Sequence, residues 1–193
     1  HPLDRYKDVL RSIVNTGSAD LGRRKKGRNV IIAGLINGVR VIQDKRGNTM
    51  AFVSMEDFYG SFEAIVFASC YRKAREELVE ENAVVIKGKI SNRDRGETKI
   101  IADKIYSVNR ALSALARRVV LTLKSDLFDE KSLASLKELM AGFPGRREVL
   151  FDWCENGNEL FRIKSGNCSV EPSLEFVDKI RKIDGVGNVQ VTV

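Results

Sequence analysis

Histidine and cysteine are scarce in this chain of 193 residues, which holds one histidine, His1, and three cysteines. The cysteines are Cys70, Cys154 and Cys168, and they form no CxxC pair, so the sequence argues against a structural zinc site and favours free thiols. A Ser-His or Cys-His catalytic pair would have to use the terminal side chain. Acidic residues occur as adjacent pairs, which do not aim two carboxylates at one bond or metal. The sequence therefore predicts no catalytic residues, no metal and no cofactor.

Long apolar runs are absent too. No run approaches the roughly 20 residues that a membrane span needs, and no signal-peptide core follows the N-terminus. We therefore expect a soluble, cytoplasmic protein with no membrane partner. The chain starts with His1 and not with methionine, which leads us to expect a piece of a longer protein. Hydrophobic residues make up 43% of the chain, enough for ordinary globular cores.

Positive charge is concentrated at the start of the chain. The formal net charge is +7, and residues 1–28 hold eight basic and three acidic residues. Residues 29–108 and 109–193 each contribute only +1. An acidic partner such as nucleic acid is the first function to consider, although neither folded region is basic as a whole.

Residues 29–108 carry the two-residue period and the β-branched and aromatic residues that are typical of strands. Polar, glycine-containing turns separate the segments. Three strands, a helix and two further strands in about 80 residues describe a five-stranded OB-fold barrel, although periodicity alone leaves a small sandwich open. The predicted strands are Val30–Gln43, Met50–Glu56, Phe62–Ala68, Ala83–Ser91 and Thr98–Val108, with a helix at Cys70–Glu81.

Two flanking regions complete the predicted organisation. Residues 1–28 are predicted to form a helical lead-in, Asp4 to Val14, followed by a basic linker. Residues 109–118 are predicted to form a second linker, and residues 119–193 a small α+β domain of order βα-ββ-αβ with its two helices on one sheet face. The first helix of the domain is marked by Leu133, Leu136, Met140 and Phe143. The second carries Leu174, Val177 and Ile180, with Pro172 predicted in its first turn. The overall fold class is thus mostly β plus α+β.

The predicted barrel offers a surface for single-stranded nucleic acid. Proteins grip single strands with aromatic side chains on which bases stack and with basic side chains along the phosphates. OB folds use strands two and three, bordered by the first loop and the loop between strands four and five. The candidate residues at those positions are Arg40, Lys45, Arg46, Met50, Phe52, Ser54, Lys87, Lys89, Arg93 and Arg95.

Each candidate also has a structural interpretation. Phe52 could be a core residue, although Ala51 and Val53 already alternate as an inner row and favour an exposed Phe52. Phe62 and Phe67 are expected in the core, and an outward Glu63 would oppose phosphate. The basic run Arg23, Arg24, Lys25, Lys26 and Arg28 could be a phosphate strap or a solvated linker. Trp153 is expected to pack and not to stack on a base.

Specific segments resemble a known family. The resemblance covers Gly34-Leu35-Ile36, Lys45 to Phe52, Glu56-Asp57 with Gly60, and Lys87-Gly88-Lys89-Ile90. These residues are similar to the OB domain of the bacterial DNA polymerase III alpha subunit, a C-family replicative polymerase. The His1-Pro2-Leu3 start with Tyr6 and the α+β unit after the barrel are similar to the regions that flank that domain, so the resemblance spans nearly the whole chain.

The resemblance implies an accessory role. The parent polymerase extends a primer with deoxynucleotides and uses magnesium, but none of its catalytic segments is present in this chain. The OB domain of the family is held to contact single-stranded template DNA, with Phe52 matching its stacking aromatic residue and Lys45 and Arg46 its first basic loop. The C-terminal domain is held to bind the tau subunit of the clamp loader. The clamp-binding peptide lies upstream, so the sliding clamp is a partner through the parent.

Two other functions remain open from the residues. The barrel could be the anticodon-binding appendage of an aminoacyl-tRNA synthetase, although no synthetase catalytic motif is present. Both domains could also be pure protein-interaction modules. Binding of structured RNA in preference to single-stranded DNA would favour the first alternative. No binding of a strand of about 20 nucleotides at low salt, with binding of a clamp-loader subunit retained, would favour the second.

Overall fold

A computed structural model describes residues 2–94 and 97–193 of the chain. The chain divides into two compact units, His1–Val108 and Asn109–Val193. In the described part of the chain, no helix is long and apolar enough to cross a membrane.

The first unit contains a closed five-stranded barrel, as the strand periodicity predicts. Along the barrel the strands are hydrogen-bonded in the order β1-β2-β3-β5-β4. The pairs are antiparallel except for β3 and β5, which run parallel and close the barrel. A short helix, α3, joins β3 to β4 and is shorter than predicted. The bounds are β1 Asn29–Gln43, β2 Thr49–Glu56, β3 Ser61–Val66, α3 Ala68–Ala74, β4 Ala83–Asp94 and β5 Glu97–Ser107.

Alternation in every strand sends one set of apolar side chains into the barrel. Ile32, Val53 and Ile86 are completely buried in this core, and Phe62 is 8% exposed, as expected. Cys70 on α3 packs there too, and burial, with a contribution from Asp103, raises the pKa of its thiol to about 11. Cys70 is therefore a protonated packing residue at neutral pH.

The lead-in is part of the barrel unit, where the sequence predicts a separate helix and linker. It forms a 3₁₀ turn at Asp4–Tyr6 and helices α1 Lys7–Ile13 and α2 Ser18–Leu21. Ile13 is completely buried and Leu21 is 3% exposed. The burial of these apolar side chains favours a lead-in held against the barrel over a free segment.

A buried carboxylate fixes this attachment. Asp57, between β2 and β3, is 6% exposed. It accepts hydrogen bonds from the Ser18 backbone N–H at 2.7 Å and the Ser18 hydroxyl at 2.6 Å. The backbone N–H groups of Tyr59 and Gly60 donate to the same carboxylate. One side chain thus joins α2 to the β2–β3 hairpin.

The second unit begins with a helix, α4, which is followed by a four-stranded sheet and two further helices in the predicted order. The strands lie in the order β8-β7-β6-β9, with β6 and β7 parallel and the other pairs antiparallel. The helices α5 and α6 contact each other, and they pack on β8 and β9 respectively, so both lie on one face. The bounds are α4 Val108–Leu115, β6 Arg118–Lys124, α5 Glu130–Gly142, β7 Pro144–Glu155, β8 Asn158–Val170, α6 Leu174–Ile180 and β9 Val186–Thr192.

Two predictions for this region need correction. Residues 109–118 are not a linker, because α4 occupies most of them and buries Ala111 and Leu112 completely. Pro172 precedes α6 and lies outside its first turn, since the N-cap is Ser173, whose hydroxyl accepts from the Phe176 N–H at 3.0 Å.

Candidate nucleic-acid interface

A row of five side chains crosses the outside of the barrel. Strand register pairs Arg40 on β1 with Phe52 on β2, and Phe52 with Ile65 on β3. Ile65 pairs with Ile101 on β5, and Ile101 with Lys89 on β4. We call Arg40, Phe52, Ile65, Ile101 and Lys89 the outer row. Phe52, Ile65, Ile101 and Lys89 alternate with buried core residues, Arg40 lies between the partly buried Val39 and the exposed Val41, and no member of the row is buried.

The outer row has an apolar centre and cationic ends. Phe52, Ile65 and Ile101 are partly exposed, and Arg40 and Lys89 are exposed. Neighbouring strands lie about 4.8 Å apart, so the row runs about 19 Å along the curved surface of the barrel and its apolar centre about 10 Å. An apolar strip of three residues between two cations has the composition of a surface on which bases stack while phosphates are held at the edges.

Two cations lie close to the Phe52 ring. The Arg40 guanidinium lies 4.6 Å from the centre of the Phe52 ring. The Lys99 ammonium lies 5.8 Å from the same centre. Both cations are placed where the negative face of the ring attracts them. A phosphate near Phe52 would meet two positive side chains.

Glu63 lies outward beside this site, as the alternation predicts, but its charge is paired. Lys99 is the residue opposite Glu63 in the parallel β3–β5 pair, and its ammonium lies 2.8 Å from the carboxylate. The side chains of Lys99 and Glu63 are 16% and 30% exposed respectively. The ion pair offsets the repulsion of phosphate that the sequence predicts for this face.

The Lys89 end of the row contains further positive charge. Lys87 is one outward position away on β4 and pairs with the exposed Lys104 of β5. Gly88 lies between the two β4 lysines, where a Cβ would be 2.3 Å from the Ile101 carbonyl oxygen. Only glycine therefore allows β4 and β5 to approach closely enough for this register.

The β1–β2 turn presents Lys45 and Arg46 to solvent. Asp44 organises the turn, since its carboxylate accepts from the Arg46 and Asn48 backbone N–H groups at 2.8 and 2.9 Å. Hydrogen bonds from the Asn48 side chain, and then from these N–H groups, lower the pKa of Asp44. Three residue pairs, about 10 Å of strand, separate the turn from the Arg40–Phe52 pair. Lys45 and Arg46 thus have a fixed backbone near the row.

The start of β5 lies on the other side of the row from the β1–β2 turn. Strands β2 and β5 run in opposite directions, because β3 is antiparallel to β2 and parallel to β5. The starts of β2 and β5 therefore lie beyond opposite sides of the row. Arg93 belongs to the last residues of β4, which pairs with the start of β5. Arg95, another predicted contact, lies outside the described residues.

The basic run Arg23–Arg28, which we call the basic turn, is attached to the barrel and is not a free linker. The Gly27 N–H donates to the Ile90 carbonyl at 2.8 Å, and the Ile90 N–H donates to the Arg28 carbonyl at 3.1 Å. These bonds place the basic turn next to Lys89, at one end of the outer row. Arg24 donates to the Asn15 carbonyl, whereas Arg23, Lys25, Lys26 and Arg28 are exposed.

Two predicted positions differ in the structure. Met50 lies two residues before Phe52 on β2, so alternation predicts it on the same outer side. It is only 7% exposed, however, and is not accessible to a base. Phe67, expected in the core, is 41% exposed because β3 ends at Val66 and Phe67 is the N-cap of α3. Ser54 is exposed on β2, beside Glu63.

Ile65, Ile101, Lys99 and Lys104 are outer-face residues that the sequence patterns did not single out. Their alternation is visible in the sequence, but their placement beside Phe52 depends on the parallel β3–β5 register. Among residues 2–94 and 97–193, no group of three or more His, Cys, Asp or Glu side chains could hold a metal ion.

Comparison with known proteins agrees with the fold. Residues 30–108 match the family model described as an OB-fold nucleic acid binding domain. Asparaginyl-tRNA synthetase from Pyrococcus horikoshii superposes with a TM-score of 0.38 and 18% identity, over 48% of this chain and 21% of that one.

Curated relatives match nearly the whole chain. The DNA polymerase III subunit alpha of Borreliella burgdorferi is 32% identical over 99% of this chain. The subunits from Pseudomonas aeruginosa and Escherichia coli K12 are 27% and 22% identical over 98% and 99% of it. The chain spans 16–17% of the length of these relatives. The chain therefore belongs to the DNA polymerase III alpha subunit family, as a segment that contains an OB-fold domain.

Proposed function

We propose that the outer row binds single-stranded DNA as an accessory surface of a replicative polymerase. The observation that carries the proposal is the apolar strip of Phe52, Ile65 and Ile101 between cationic ends. One base stacks on Phe52 in place of the Arg40 guanidinium, which turns to a phosphate, and the neighbouring bases lie on the two isoleucines. Arg40, Lys99 and Lys89 receive the phosphates. A family model for nucleic acid binding over residues 30–108 supports this assignment.

The basic turn extends the DNA path beyond the barrel. It adjoins Lys89 through the Ile90 backbone bonds, so its exposed cations continue the positive end of the row. OB folds cover about 4–16 nucleotides, and a row of about 19 Å accounts for the lower part of that range. The basic turn and the β1–β2 turn give the strand further phosphate contacts on either side.

Neutralising Lys45 and Arg46 together should lower the salt dependence of DNA binding. On a single strand, the slope of log K against log salt falls by about 0.7 for each phosphate that the protein no longer neutralises. The measurement is a titration of a labelled oligonucleotide at several salt concentrations with the Lys45→Gln, Arg46→Gln variant. The matched control neutralises Arg72 and Lys73, which are exposed on α3 of the same unit. An equal slope in both variants would remove the turn from the DNA path.

Neutralising Glu63 and neutralising Lys99 should change the affinity for DNA in opposite directions. Glu63→Gln removes the carboxylate that competes with phosphate for Lys99, so DNA affinity should rise about threefold at low salt. Lys99→Gln leaves the carboxylate on the face, and affinity should fall by about the same factor. Parallel titrations of both variants measure this. Changes of the same sign would show that the pair acts through barrel stability instead.

We propose further that residues 109–193 bind a protein, the tau subunit of the clamp loader, with the remainder of the polymerase alpha subunit as the other partner. The match of almost the whole chain to alpha subunits supports this proposal. The division of the chain supports it too, since residues 109–193 form a compact unit of their own. The sliding clamp is reached through other parts of such a polymerase. Nucleotide transfer is not assigned to this segment, and the site of action is the bacterial cytoplasm.

Binding of the 193-residue chain to purified tau, measured by calorimetry, tests the second proposal. A complex with tau and an oligonucleotide bound at the same time is expected, since the two proposed surfaces lie on different units. Absence of tau binding would reject the assignment for the second unit without affecting the barrel.

A further inference from the structure

An apolar groove opens on the helix face of the second unit. It lies between α5 and the β7–β8 pair, and its walls include Phe128, Leu133, Phe151, Trp153 and Ile163. Trp153 packs in its floor, as predicted for this residue. Its ring is stacked on Phe161 at 6.1 Å and meets the edge of Phe128 at 6.0 Å. These aromatic contacts give the groove a well-defined floor.

The groove leaves large side chains uncovered. Leu133, on the α5 face expected to be buried, is 41% exposed, and Ile163 on β8 is 46% exposed. Phe161, beside Trp153, is 50% exposed. Strand β8 is at the edge of the sheet, in the order β8-β7-β6-β9 of the described chain. Adjoining apolar side chains exposed to this degree mark a surface that binds another molecule.

The chemistry of the lining selects a protein segment over a small ligand. Small-molecule sites carry several polar groups that converge to orient the ligand. Among the described residues that line this groove, only Asp129 and Glu130 are charged, and both are acidic. Asp129 caps α5 by accepting from the Ser132 N–H at 2.8 Å, a bond that lowers the pKa of its carboxyl group and keeps it ionised. The complementary occupant has large apolar side chains next to a lysine or arginine.

A helix fits the open space better than a strand. α5 and α6 form a helix layer on this face, and the groove runs beside α5 over β7 and β8. Helices pack side by side at about 8–10 Å, and an amphipathic helix presents apolar anchors at helical spacing to such a groove. A helix over β8 would continue the layer and cover Ile163 and Leu133.

We propose that the groove between α5 and the β7–β8 pair binds an amphipathic helix of the partner protein, with large apolar anchors and a basic residue beside Asp129 and Glu130. This proposal rests on the assignment of tau as the partner of the second unit and names the surface that would receive it. Trp153 lies beneath the bound helix.

Trp153 makes the groove directly observable, because it is the only tryptophan of the chain. The full chain labelled with 5-fluorotryptophan gives one fluorine signal, which is expected to shift when unlabelled tau is added. Ile163→Ser should weaken tau binding about tenfold or more, as expected for a central apolar contact. Glu130→Lys should weaken tau binding about threefold and make the affinity less sensitive to salt, because it replaces an attraction to the basic residue of the bound helix with a repulsion. Leu133→Gln on α5 gives a second apolar variant should Ile163→Ser fold poorly.

Leu160 supplies the matched control. It is 53% exposed on the same strand but does not line the groove. Leu160→Ser should keep tau affinity within about twofold, as surface substitutions outside a contact do. If wild-type chain binds tau while Ile163→Ser and Leu133→Gln bind equally well, the groove proposal fails and the tau assignment stands. If wild-type chain does not bind tau, the assignment of the partner fails and takes the proposed occupant with it.

Discussion

Replacing Phe52 with alanine is expected to weaken binding of single-stranded DNA by about tenfold or more. The removal of one base–aromatic stack costs about 1–3 kcal/mol. Phe52 lies on the outer face and is only partly buried, while the core beneath it is formed by Ala51 and Val53. The melting temperature should therefore change little. Fluorescence anisotropy with a labelled strand of about 20 nucleotides, long enough for the site size of an OB fold, measures the affinity.

Phe67 provides the control for this substitution. It is a 41% exposed phenylalanine of the same unit, located at the start of α3 and outside the outer row. Phe67→Ala should leave DNA affinity within about twofold, since it removes no stacked base. A large fall in melting temperature for Phe52→Ala, with unchanged DNA affinity, would show that Phe52 is a packing residue.

Replacing Asp57 with alanine is expected to destabilise the barrel unit by about 3–5 kcal/mol, the cost of removing one partner from a buried charged network. The carboxylate is 6% exposed and accepts four hydrogen bonds, two of them from Ser18 in the lead-in. Alanine would leave these donors without their acceptor and would release α2 from the β2–β3 hairpin. Native-state hydrogen exchange at core amides such as those of Val53 and Ala64 reports this unit separately.

Two variants complete the Asp57 experiment. Ser18→Ala removes one hydroxyl donor and should cost about 1–2 kcal/mol. Asp103→Ala changes an exposed aspartate of the same unit and should cost less than about 0.5 kcal/mol. Trp153 fluorescence, which belongs to the second unit, should be unchanged in all three variants. If Asp57→Ala and Asp103→Ala had equal effects, the lead-in would not be held by this carboxylate.

The barrel and the orientation of Phe52 could be predicted because both depend on local sequence patterns. Alternation along β2 buries Ala51 and Val53 and turns Phe52 outward, whatever the neighbouring strands are. The turn that carries Lys45 and Arg46 is marked by its own residues, with Gly47 at a φ of 78°. The same kind of local signal predicts the order of strands and helices in the second unit.

The remainder depends on contacts between segments that are distant in sequence. The pairing of Glu63 with Lys99 follows from the parallel β3–β5 register, for which neither strand carries a local signal. The attachment of the lead-in depends on Asp57 and Ser18, which lie 39 residues apart. Met50 shows the limit of alternation, which predicts the face of a side chain but not what packs over it. Similarly, helical periodicity places Leu133 on the apolar face of α5, but it does not show that the helix layer ends beside this residue and leaves it exposed.

The measurement that most directly tests the central claim is amide chemical-shift mapping of the ¹⁵N-labelled chain during titration with a single-stranded oligothymidine. We expect the largest changes at Arg40, Phe52, Ile65, Ile101 and Lys89, with smaller changes in the β1–β2 turn and the basic turn. Unlabelled duplex DNA or structured RNA at equal concentration should compete poorly. Changes confined to the second unit, or no change at the outer row when the strand is bound, would contradict the claim that this face of the barrel holds single-stranded DNA.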